Sequence, residues 1–218
     1  MEEGRRVMSV DRRELARLRP VWDFAPLEGV GPLRFGISVD EAASALPEAV
    51  ELRRFQAEPF SPQVVGVQLA FRPGEPAVYE YFDVSGRLFC VAVDAVFGPH
   101  VTLDGVELVG GIPSELEQWL SGLPESMGGL CYGPRANPGI NELGLVLRVQ
   151  ETELGVLTRP VLVGREWADR CADDWEGRIP ECEWVGSMWP HRFLEGRPQV
   201  WPAPGESPTW AEVWSPPF

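Results

Sequence analysis

Apolar and polar positions fall into distinct patterns along the 218 residues. From Val64 to Asp94 the chain reads as strands. VVGVQLAF is rich in β-branched residues, AVYEYF alternates, DVSG is a turn signal, and RLFCVAVD is a near-continuous apolar run. Such a run predicts a central strand, with Tyr79, Tyr81 and Phe89 on an aromatic sheet face. His100 to Leu103 predicts another strand, with Asp104-Gly105 as its turn. LGLVLRV and VLTRPVLVG, bent near Gly155, predict a further hairpin.

Helical spacing marks three other segments. In LRFGISVDEAASALPEA, Ser38 with Glu41 three residues later forms a capping box, and Pro47 ends the helix. IPSELEQWLSGLPES repeats that grammar. Ser114 and Glu117 are the expected box, Leu116, Trp119 and Leu120 the apolar stripe, and Pro124 follows. In REWADRCADDWEG, Trp167, Cys171 and Trp175 fall four residues apart and predict a buried face. Glu166, Asp169, Asp173, Asp174 and Glu176 make an acidic stripe beside it. Residues 1–20 read as a short amphipathic helix stopped by Pro20, and Pro26 to Pro32 as a connector. Met127 to Gly139 reads as a loop. The last 30 residues hold seven prolines and four tryptophans. They predict an extended strap with docked indoles.

Together these elements predict an α+β fold: antiparallel sheet with a few short helices packed on one face. Each capped helix is followed by a hairpin at an offset near 75 residues. That parallel predicts two diverged repeats of a helix-plus-hairpin unit. The expected organisation is an N-terminal arm at 1–25, a first unit at 26–125, a second at 126–187, and the strap at 188–218.

Charge narrows the choice of partner. The chain has 33 acidic and 19 basic residues, all arginine, for a net charge of −14 and a pI near 4.6. A field of this size disfavours nucleic acid and anionic membrane and favours a basic protein. No run approaches the roughly 20 apolar residues of a membrane helix. With no secretory signal pattern, the expected compartment is the cytoplasm, where Cys90, Cys131, Cys171 and Cys182 are buried free thiols. If the chain is exported, Cys171 and Cys182 are the pair to form a disulfide. Abundant arginine without lysine points to a high-GC, actinobacterial genome.

Catalytic signatures are sparse. His100 and His191 are the only histidines, and neither adjoins a cysteine pair, so no metal site is expected. No phosphate loop, nucleophile elbow or zinc-protease helix is present. No cofactor and no catalytic residue is assigned.

The two segments LRFGISVDEAASAL and VGGIPSELEQWL, each with its hairpin, resemble the small α+β unit of the BamE/SmpA family and of the tandem-repeat β-lactamase inhibitory proteins. The acidic composition and the stripe from Glu166 to Glu176 resemble the immunity proteins of bacterial polymorphic toxin systems, which mask a toxin's basic active site. These resemblances imply an immunity-like or inhibitor-like module that occludes a basic, toxin-like partner. Glu166, Asp169, Asp173, Asp174 and Glu176 would steer that partner, and Tyr79 and Tyr81 would supply aromatic contacts. A small hydrolase built around a histidine, and a scaffold subunit docked through the Trp/Pro tail, are the competing readings.

Overall fold

The computed structural model describes residues 19–58, 61–133, 136–153, 155–168 and 179–184. They form an α+β fold dominated by antiparallel strands. The strands are β1 (Val21–Ala25), β2 (Gly29–Val30), β3 (Leu33–Arg34), β4 (Val50–Glu58), β5 (Ser61–Ala70), β6 (Val78–Phe82) and β7 (Leu88–Val93). They continue as β8 (His100–Leu103), β9 (Val106–Glu107), β10 (Leu130–Tyr132), β11 (Pro138–Ile140), β12 (Leu145–Thr152) and β13 (Gly155–Val163). The helices are α1 (Val39–Ala45), α2 (Pro113–Ser121), α3 (Arg165–Ala168) and α4 (Glu181–Trp184).

Eight strands build the main sheet, in the order β10-β11-β12-β13-β7-β6-β5-β4, with every neighbour antiparallel. A second sheet runs β3-β2-β1-β8-β9, in which β1 and β8 are parallel. The apolar runs end up where they were predicted. β6 and β7 are buried at every residue, because both faces of the main sheet are covered there. The hairpins expected after the two capped helices share this one sheet, β13 pairing directly with β7 through Val161 and Ala92.

The larger core lies between the two sheets. Trp22, Phe24, Val101 and Leu103 from the smaller sheet meet Val67, Val78, Val91, Leu147 and Leu162 from the larger. Ala42 and Leu46 at α1, and Leu116 and Leu120 on α2, close its ends. Burying a large apolar side chain of this kind is worth about 1.5–3 kcal/mol. Asp104 and Gly105 take φ of 50° and 80°, the paired left-handed geometry of a tight hairpin turn between β8 and β9.

Three local expectations are corrected. Ser38 and Glu41 do cap α1 reciprocally, but Ser114 does not cap α2. Pro113 fixes φ and lacks an N–H, so the helix begins at the proline with Ile112 as N-cap. Ser114 therefore falls inside the first turn. The stretch Pro26 to Pro32 is not a bare connector, since it carries β2 and the turn into β3. Within Met127 to Gly139 lie β10 and most of β11.

All but Arg19 and Pro20 of the helix predicted in residues 1–20, most of the 165–177 helix and the 188–218 strap lie outside the described residues. No helix among the described residues is long and apolar enough to cross a membrane.

Candidate functional site

The face of the main sheet turned away from the smaller sheet carries the chemically richest cluster. Strand register sets it. Tyr79 pairs with Ala92, Tyr81 with Cys90, and Arg148 with Arg159, and alternation sends these side chains to one face. Chain from beyond β13 covers them. Trp167 stacks on Phe89 with ring centroids 3.9 Å apart, while Ala168, Ile179 and Cys182 complete a second apolar cluster.

Tyr79 and Tyr81 are therefore interior residues, exposed by 1% and 0%. The expectation that they offer surface contacts is corrected. They sit at the centre of a sheet buried on both faces, and their hydroxyls are engaged internally. Gln68 donates to the Tyr79 oxygen at 3.0 Å and accepts from Arg53 at 3.0 Å. Tyr81 donates to Glu183 Oε1, and the Cys182 thiol donates to the Tyr81 oxygen at 3.6 Å.

Glu183 is the hub of this cluster. Arg148 Nη1 donates to its Oε2 at 2.7 Å. Arg159 grips both oxygens, Nε to Oε2 at 3.1 Å and Nη2 to Oε1 at 2.8 Å. The Arg159 guanidinium also lies 4.2 Å from the Tyr79 ring centroid, a cation–π contact that fixes its plane. Bidentate arginine–carboxylate geometry of this kind is among the strongest polar contacts a protein makes.

Burial alone would push the Glu183 carboxyl up, but Arg159 and Arg148 outweigh it and hold it down to about 2. Burial lowers Arg148, whereas for Arg159 the attraction of Glu183 overcomes burial and raises it. Both guanidiniums stay charged, because arginine does not give up its proton in proteins. Among the described residues the Glu183 carboxylate is thus shared by two charged guanidiniums. Burial, then the neighbouring Glu183 charge, pushes the Cys182 thiol well up and leaves it protonated. Burial does the same to Cys90. Cys90, Cys131 and Cys182 are free thiols, and Cys171 lies outside the described residues.

The acidic stripe is mostly outside view. Glu166 is exposed on α3. Asp169, Asp173, Asp174 and Glu176 lie outside the described residues. A different acidic and aromatic surface appears where α2 meets the β10 edge. Tyr132 is 48% exposed, and its hydroxyl donates to Glu117 Oε1 at 2.9 Å. Glu115 and Glu125 are exposed elsewhere on this stretch of chain, and Trp119 is half-buried on α2. Burial first, and then Glu117, raises the Tyr132 phenol, so it remains a neutral donor.

The chain matches no protein-family model, no curated protein and no solved structure.

His100 pairs with a carboxylate, Nδ1 to Glu107 Oε2 at 2.8 Å. Glu107 Oε1 is taken by the backbone N–H groups of Val101 and Val109, which ties this pair to its own hairpin. A shallow pocket elsewhere is lined by Arg19, Pro20, Phe71, Arg72, Glu75 and Phe97. His191 lies outside the described residues. Among the described residues, no three metal-ligating side chains cluster.

Arg148, Arg159, Glu183 and Tyr132 were not read as site residues, and Glu117 was read only as a capping residue. A signal did exist for the arginines, each a lone charge inside an apolar strand (LVLRV and LTRPVLV). Charges so placed are paired when buried.

Proposed function

We propose that this chain is an acidic protein-binding module, immunity-like or inhibitor-like, that neutralises a basic partner protein by stoichiometric occlusion. The supporting observation is the α2–β10 corner. There an exposed aromatic, Tyr132, donates its hydroxyl to the carboxylate of Glu117. Tyrosine and tryptophan dominate binding hot spots, and flanking carboxylates steer a basic partner toward them. The wider surface favours the same kind of partner. Exposed carboxylates such as Glu28, Asp40, Glu41, Glu48, Glu51, Asp104, Glu142, Glu151 and Glu166 outnumber the exposed Arg34, Arg53, Arg54, Arg87 and Arg165.

The test is co-purification from the native lysate at low and high salt, with the wild-type chain and with Tyr132→Ala. The reading expects a basic protein in near-equal amount, lost at high salt and depleted by the substitution. Recovery indifferent to both salt and Tyr132 would remove this reading.

A further inference from the structure

We propose that Arg54 is a switching guanidinium, paired with exposed Glu51 while buried Glu80 carries a proton and transferred to Glu80 when that proton leaves. The switch lies within the chain itself and does not depend on the basic-partner reading.

Strand register brings the three residues to one face of the main sheet. Arg54 on β4 is registered with Val67 on β5, and Val67 with Glu80 on β6. Directly opposed residues share a face, so Arg54 and Glu80 lie in one row with Val67 between them. Two strand spacings, about 9–10 Å, separate their backbones. An extended arginine and a glutamate together span that gap. Glu51 pairs with Leu69, two residues along β5 from Val67, and so faces the same way. Three positions along a regular strand would put Glu51 and Arg54 on opposite faces. The irregularity between Glu51 and Arg53 returns them to one side, as bulges do when they re-aim a side chain.

In the structure Arg54 holds the outer carboxylate. Its Nε donates to both oxygens of Glu51, at 2.9 and 3.1 Å, and its Nη2 donates to Oε2 at 2.9 Å. Arg54 Nη1 makes no hydrogen bond among the described residues. Glu80 is 3% exposed, and its Oε1 has no hydrogen-bond partner among them. An unused donor and an orphaned acceptor therefore occupy one row of the sheet.

Charge decides which carboxylate keeps the arginine. The strand neighbours of Glu80, Val67 and Val91, are apolar, as are Val78 and Phe82 on its own strand. From β4, Glu51 repels the Glu80 anion and Arg54 attracts it. On α1, Asp40 attracts Arg54, while Glu41 is engaged by Ser38 at the helix start. Burial, then Glu51, raises the Glu80 carboxyl to about 7, so its proton leaves to solvent in the neutral range. Before that, Glu80 is neutral and makes no claim on the guanidinium. Afterwards a buried carboxylate competes with an exposed one. An exposed ion pair is worth little, whereas a buried charge without a counter-ion is costly. Arg54 moves inward over Val67, and Glu51 is left bare on the exposed part of β4.

The test is an NMR titration of the full chain from pH 5 to 9. It follows the side-chain carboxyl carbons of Glu51 and Glu80 and the Arg54 Nε–H resonance. All three are expected to shift together, with one midpoint near 7. In Glu80→Gln the steps at Glu51 and Arg54 are expected to vanish. Arg54→Gln is expected to raise the Glu80 midpoint by about one pH unit, a tenfold gain in proton affinity. Glu51→Gln removes the competing carboxylate and is expected to lower it.

Titration of Glu80 with Glu51 and Arg54 flat would overturn the proposal. So would steps at those two residues that persist in Glu80→Gln, or a Glu80 midpoint unmoved by either exposed substitution. Should Glu80→Gln fail to fold, the wild type and the two surface variants decide.

Discussion

Arg148 on β12 and Arg159 on β13 stand directly opposite one another, with the single carboxylate of Glu183 bound to both. Like charges at facing strand positions destabilise a sheet. Here the opposing pair is made tolerable by a residue from a separate segment, 24 positions beyond Arg159. The 179–184 segment is thereby tied to the centre of the β12–β13 pair through one carboxylate.

Unequal costs follow for the members of this set. Glu183→Ala removes the carboxylate that both buried guanidiniums share and should cost about 3–5 kcal/mol. Arg148→Met leaves the bidentate contact of Arg159 with Glu183 in place and should cost distinctly less. Urea denaturation of the two variants measures both. Equal losses would contradict Glu183 as the shared partner of the two arginines. The acid limb carries the same signature. Glu183 has a folded value near 2 against an ordinary 4.5, so its contribution is complete above about 4.5 and fades as pH falls toward 2.

Glu80 behaves in the opposite sense. It is 3% exposed on β6, between Val67 and Val91 on the neighbouring strands, and its Oε1 has no hydrogen-bond partner among the described residues. Burial, reinforced by Glu51 and opposed by Arg54, pushes its carboxyl up to about 7. The folded chain holds this proton over a range where the unfolded chain has released it. Stability from this group is therefore full below about 4.5 and lost as pH rises through 7, by about 3 kcal/mol in all. Denaturation at pH 5 and pH 8 should show that slope, and Glu80→Gln should flatten it while gaining stability at the higher pH. A wild-type slope unchanged by the substitution would rule Glu80 out as its source.

Gly66 is required by close approach. A Cβ there would lie 2.3 Å from the Phe55 ring, which crosses Gly66 to meet Tyr81 edge-on at 6.1 Å. Gly66→Ala should cost roughly 1–3 kcal/mol through overpacking. Adding Phe55→Leu should recover part of the loss, which thermal melts of the single and double variants would register. No recovery would place the strain elsewhere.

The centre of the sheet was legible because burial on two faces writes itself as apolar runs. VYEYF and LFCVAV became β6 and β7, and the Asp104-Gly105 turn formed as read. The edges were not legible. β4, VELRRFQAE, is exposed along most of its length, so selection for an apolar face is weak and its charges mask the strand. Its bulges between Glu51 and Arg53 and between Gln56 and Glu58 break the alternation further, as exposed edges tend to. At the site, the register of Arg148 with Arg159 was within reach once the β12–β13 hairpin was drawn. Glu183 was not, because its place depends on how a short segment returns to the sheet. Tyr79 and Tyr81 were placed on the right face but read as accessible, since alternation fixes a face without saying what covers it.

Tyr132 is where the binding account is most exposed to test. Its removal takes away a side chain that is 48% exposed and its hydrogen bond to Glu117, so folding stability should change by about 0.5 kcal/mol or less. Binding should respond far more. The decisive measurement is the affinity of wild type and Tyr132→Ala for the basic protein recovered at low salt, titrated at two salt concentrations. The account predicts a loss of roughly thirtyfold at Tyr132, the counterpart of about 2 kcal/mol, together with weakening of the wild type by salt. Unchanged affinity at both salt concentrations, with both chains equally folded, would contradict it.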